Sequence, residues 1–180
     1  MDSRWLGISY RVPSEPSRKR VYVWRKVKEM GAVYLQQAVG VVPFTDALLA
    51  QLETLRDEVG GMGGEAAIAF LTFIHPEDEE RLRADSRALR DEEYSELTEK
   101  CEGLVDELER ETASGKFTFA EVEESEEELA KIQRWMKKIS SRDYFDAPGR
   151  ADAERAYAAA EERLSLFSDE VFRREGLGQA

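Results

Sequence analysis

The 180-residue chain carries 26 Lys and Arg against 38 Asp and Glu, a formal net charge of −12, with one His and one Cys. A single cysteine builds neither an internal disulfide nor a Cys-x-x-Cys metal site, which sets aside the stapled secreted scaffolds. The longest largely apolar stretch, residues 66–74, falls far short of the ~20 residues of a membrane span, while 42% hydrophobic residues argue for a buried core.

Taken in order, residues 5–12 alternate in polarity and stop at Pro13, predicting a strand. Ser14 or Ser17 is placed to cap a helix with Pro16 in its first turn, running to about Met30. Val23, Val27 and Met30 recur at helical spacing, and Gly31 falls where a left-handed cap belongs. Residues 32–37 and 39–44 are rich in β-formers around Gly40, predicting a bent strand or a tight hairpin. Thr45 and Asp46 open a second helix carrying Leu48, Leu49, Leu52, Leu55 and Val59, ended by the glycines at 60–64. Residues 65–74 predict a final, buried strand.

Beyond His75 and Pro76 the composition changes. Residues 1–74 hold nine Lys and Arg against eight acids, so residues 75–180 hold 17 bases and 30 acids. Three amphipathic helices are predicted there, over 77–111, 119–139 and 151–174, each needing a partner for its apolar stripe. The expected fold is therefore α+β: a ferredoxin-like β-α-β-β-α-β sandwich over residues 1–75, followed by a three-helix acidic region over 76–180. The β-rich segment at 33–42, or its neighbours, is expected to pair two copies in a two-fold homodimer.

Residues 11–28 concentrate Arg11, Arg18, Lys19, Arg20, Arg25, Lys26 and Lys28 against Glu15 alone. Cations at that density beside a helix N-terminus suit phosphate or another anion, and Tyr10, Tyr22 and Trp24 add stacking surface. The competing reading is a helix that balances the acidic half of its own chain. The glutamates at 121, 123, 124, 126, 127 and 128 could recruit a basic partner or a cation, or could simply favour a positive helix terminus. No EF-hand spacing is present, and one His rules out paired Glu-x-x-His ligands, so no metal and no cofactor is expected. Cys101 lies on an apolar stripe and reads as a buried thiol, with His75 at the junction. The glycines at 60–64 lack the phosphate-loop pattern.

Residues 5–17, followed by Val23-Trp24-Arg25-Lys26 and by Gly31-Ala32-Val33-Tyr34-Leu35-Gln36-Gln37, resemble the N-terminal domain of ChrB, the chromate-resistance regulator. The close likeness covers about residues 4–44. The resemblance implies a cytoplasmic role in the chromate response with DNA binding or sensing, and a free-standing N-terminal form beside a companion regulatory domain. The strand-helix order is also similar to the central domain of the phenylacetate repressor PaaX and to small CRISPR adaptation endonucleases. Those nucleases are thought to hold metal with a carboxylate after the first strand. Here Ser9-Tyr10-Arg11-Val12 offers no acid, and a cation there repels Mg²⁺ and attracts phosphate. The expectation is a non-enzymatic regulatory or accessory protein that binds DNA or an oxyanion through helix 17–30. The alternative is an interaction module engaging a partner through its acidic helices.

Overall fold

A computed structural model describes residues 5–13, 17–36 and 39–177 of the chain. In order these form β1 (Trp5–Arg11), α1 (Arg18–Glu29), β2 (Val33–Leu35), β3 (Val39–Pro43), α2 (Asp46–Gly61), β4 (Glu65–Leu71), α3 (Pro76–Ser114), α4 (Phe119–Ser140) and α5 (Arg150–Leu177). The chain is mixed α and β, with one four-stranded antiparallel sheet and five helices among the described residues. It divides into two compact units, residues up to Ser86 and residues from Arg87 onward, and α3 runs through the division.

In the first unit the strand order is β2-β3-β1-β4. Leu6 lies opposite Val42 on one side and Phe70 on the other, and Ile8 lies between Gly40 and Ile68. Residues opposite one another share a face, so Leu6, Ile8, Val42 and Ile68 line the same side of the sheet. The apolar stripe of α1 lies against this side, with Val23, Val27 and Met30 all buried. Leu48, Leu52, Leu55 and Val59 form the equivalent stripe of α2. Gly40 does not break the strand but sits within β3, where its missing side chain admits α1. A Cβ there would stand 2.7 Å from Cγ1 of Val27. The hairpin turns instead after Leu35, where Gln36 takes a left-handed φ of 48°. On the opposite side of the sheet, Trp5 is buried with Phe73 edge-on at 6.2 Å and the Arg83 guanidinium 5.5 Å from its ring centre. The first turns of α3 therefore belong to the first unit.

The helix ends follow their capping chemistry. Gly31 adopts φ 77° and its N–H donates to the Lys28 carbonyl at 2.9 Å, closing α1. Thr45 is extended, and its Oγ1 accepts the Leu48 N–H at 3.0 Å. The cap expected at Ser17 does not form: Ser17 is itself in helical geometry and makes no side-chain capping bond. The other candidate, Ser14, lies outside the described residues, as do Glu15 and Pro16. β4, which its apolar sequence predicts to be buried, is instead an edge strand with Glu65, Ala67, Ala69 and Phe70 exposed. Its run of small apolar residues reads as core, yet among the described residues no strand pairs with its outer edge.

In the second unit α3, α4 and α5 share one core. Tyr94, Leu97, Cys101, Leu104 and Leu108 of α3 meet Val122, Leu129, Ile132 and Ile139 of α4. Leu164, Phe167 and Val171 of α5 complete it. Thr118 caps α4 by accepting the Glu121 N–H.

Candidate functional site

Helix α1 turns about 100° per residue, so one buried stripe leaves a broad outer arc. Around that arc, from Arg20 at one edge, lie Trp24, Lys28, Val21, Arg25, Arg18, Glu29 and Tyr22. Arg18, Arg20, Arg25 and Lys28 are all exposed. Val21 and Trp24 are each 47% exposed, unusual for apolar side chains of that size on a helix that already has a core face. The Lys28 ammonium lies 4.8 Å from the Trp24 ring centre, a cation-π contact that leaves its charge at the surface. Arg18, Val21, Tyr22 and Arg25, with Ser17, Lys19 and Met62, line an open cavity of about 580 Å³. Among the described residues Arg18, Arg20 and Arg25 enter no ion pair.

The six residues singled out from the sequence do not act alike. Arg18, Arg20 and Arg25 point their charges outward. Lys19 is half-buried and donates to the Met62 carbonyl at 2.9 Å, joining α1 to the end of α2. Lys26 pairs with Glu29 at 3.7 Å and lies 5.8 Å from the Tyr22 ring centre. Arg11 is on β1, facing Glu65 of β4 at 3.5 Å with both side chains well exposed. Such a pair is worth well under about 1 kcal/mol and is readily exchanged for an external anion. Acidic groups border the arc as well. Tyr22 donates to Glu58 of α2 at 3.0 Å, and that bond together with the Glu58 charge holds its phenol above the ordinary value.

Five glutamates of the α4 cluster, Glu121, Glu123, Glu124, Glu127 and Glu128, line a groove of about 450 Å³ between α3 and α4, with Glu107 and Lys131. At its end Glu111 and Glu121 share the Lys116 ammonium. Burial and the neighbouring Glu121 push the Glu111 carboxyl up to about 7. Among the described residues no cluster of His, Cys, Asp and Glu has the arrangement of a metal site. Cys101 is fully buried, and its thiol is pushed up to about 11 by that burial. No helix among the described residues is long and apolar enough to cross a membrane.

Sequence reasoning missed one charged constellation. Arg90 is buried, with Nε 3.0 Å from Glu93, and Glu93 also accepts from Arg142 at 2.8 Å. Burial lowers the Arg90 pKa, and the Glu93 charge opposes that shift. The i,i+3 spacing of Arg90 and Glu93 was visible; the arrival of Arg142 from the end of α4 was not.

Residues 20–177 match the family model described as Protein ChrB, N-terminal. The chain belongs to that family. Protein ChrB of Cupriavidus metallidurans is 26% identical over 157 residues, covering 85% of this chain and 44% of the relative. The chain thus spans less than half the length of that curated relative. The family match also extends well beyond residue 44, where the local resemblance ended: it takes in β2, β3, α2, β4 and all three later helices.

Proposed function

We propose that this chain is a non-enzymatic regulatory or accessory protein of chromate resistance, and that the outer arc of α1 binds the phosphates of DNA or a free oxyanion. One observation carries the reading: in a protein of net charge −12, Arg18, Arg20 and Arg25 stand exposed and without ion pairs among the described residues. The bland alternative needs acidic partners for these cations. Lys19 has a backbone carbonyl and Lys26 a glutamate as partner within the first unit, and among the described residues the three arginines enter no ion pair. Exposed Trp24 and Tyr22 supply flat surfaces beside the charges, as suits a nucleic-acid contact.

The order β-α-β-β-α-β with sheet order β2-β3-β1-β4 supports a ferredoxin-like assignment for the first unit, and α3, α4 and α5 support the acidic three-helix region. Within that fold the end of β1 offers Arg11 rather than a carboxylate, which supports binding over metal-dependent hydrolysis. Membership of the ChrB family supports the link to chromate, and a further regulatory domain is the natural companion, since the match covers only 44% of the relative.

The acidic groove between α3 and α4 favours a second reading, in which it receives a basic segment of a partner protein. Anisotropy of labelled duplex DNA separates the two. The phosphate reading expects binding that weakens steeply with salt, competition by chromate or sulfate if the site is an oxyanion site, and no strand cleavage with Mg²⁺ or Mn²⁺. Absence of any DNA or oxyanion binding at low salt overturns it.

A further inference from the structure

We propose that β4 is the edge through which two copies of this chain pair, antiparallel about a two-fold axis at Ile68. This goes beyond the phosphate-binding reading and uses none of its residues. Of the two edges of the sheet, β2 is three residues long, and Val39–Pro43 is enclosed between β2 and β1. The segment at 33–42 therefore has little edge to offer. β4 pairs along all seven residues with β1 and, among the described residues, has no strand on its other side. Exposed edges are ordinarily blunted by Lys, Pro, bulges or brevity. β4 has none of these, and its sequence Glu-Ala-Ala-Ile-Ala-Phe-Leu carries one charge, at its end.

The occupant follows from the self-complementarity of that sequence. With Ile68 on the axis, Phe70 of one copy lies opposite Ala66 of the other, and Ala67 opposite Ala69. Phe70 is 58% exposed, held edge-on by Phe44 at 5.5 Å, and the small Ala66 of the partner leaves room for its ring. In this register the two Glu65 side chains stand about 20 Å apart along the strands, beyond the ~8–10 Å Debye length at physiological salt. Leu71 meanwhile folds inward over Gly7, 2.7 Å from where a Cβ would be, and packs within its own sheet. A heterologous strand could satisfy the backbone, but the large-small order of β4 favours its own reverse across the edge, and a second copy has it by construction.

Sedimentation velocity on the full chain over roughly 1–100 µM (the range in which a single-strand interface of moderate affinity is read) tests the pairing. The expected result is a concentration-dependent dimer that strengthens with salt, because two copies of −12 repel. Phe70→Lys, whose side chain is already exposed, is expected to weaken it by at least about tenfold while circular dichroism stays unchanged. As a second readout that does not depend on that variant, Ile68→Cys is expected to form a disulfide-linked dimer under mild oxidation. Leu35→Cys on β2 is expected not to, and native Cys101 is buried and silent. A chain that stays monomeric at 100 µM, a dimer indifferent to Phe70→Lys, or cross-linking at position 35 in place of 68 overturns the proposal.

Discussion

The Lys19 ammonium donates to the Met62 carbonyl across 2.9 Å, tying the first turn of α1 to the residue that ends α2. This contact divides the basic run of α1 into working parts. Lys19 neutralises the negative end of α2, while Arg18 on one side of it and Arg20 on the other remain directed at solvent.

Lys19→Met is therefore expected to cost stability rather than affinity. The lost charge-assisted bond is worth about 1 kcal/mol, reduced by the relief of a cation at the positive start of α1. Urea denaturation should show the loss, and DNA affinity should change far less than on removing Arg18. A variant of native stability with strongly reduced binding would place Lys19 in the interface instead.

Two glycines should respond in opposite directions to alanine. At Gly40 a Cβ stands 2.7 Å from Val27, so Gly40→Ala forces α1 off the sheet at a cost of about 1–3 kcal/mol. At Gly103, inside α3 and exposed, nothing lies within 4 Å. There Gly103→Ala should stabilise by up to about 1 kcal/mol. Paired urea or thermal unfolding curves check both signs.

Glu111 makes the second unit sensitive to pH. Its carboxyl rises from 4.5 to about 7 on folding, so between those values the folded chain holds a proton that the unfolded chain releases. Stability from this group accordingly falls as pH climbs through roughly 4.5 to 7 and is flat above it. Glu121 is lowered by the Lys116 and Glu111 hydrogen bonds and acts in the other direction, losing its contribution only in more acidic solution. Glu111→Gln should flatten the decline and raise the denaturation midpoint at pH 8 relative to the parent. A midpoint difference that does not vary between pH 5 and pH 8 would contradict this assignment.

Cys101 should resist alkylation in the native protein, being fully buried with its thiol pushed up to about 11. Labelling with a thiol reagent at neutral pH should track global unfolding. Rapid labelling of the native chain would show that α3 opens locally.

Much of this arrangement was legible because it depends on neighbours in sequence. The stripe of Val23, Val27 and Met30 announced the buried face of α1, Thr45 its own cap, and Gly31 its own left-handed turn. What escaped depends on residues distant along the chain. The apolar content of β4 does not reveal that its position in the sheet is an edge, since that is decided by where β1 sits. Two anion-site candidates, Lys19 and Arg11, are occupied by Met62 and Glu65, which reach them by a tertiary contact and a strand pairing, whereas the Lys26–Glu29 pair, three residues apart, is local. Ser17 satisfied the composition rule for a cap, but its backbone had already entered the helix.

The most direct test of the central claim is the salt dependence of DNA binding by the Arg18→Ala, Arg25→Ala double variant. Each phosphate contact removed releases about one counterion fewer, so the slope of log affinity against log salt should fall by about one to two units. Affinity should drop across all sequences alike, and stability should shift by less than about 0.5 kcal/mol, as for other solvent-facing changes. A double variant that binds DNA with the parent's affinity and slope would contradict the account and leave α1 as a solvated surface.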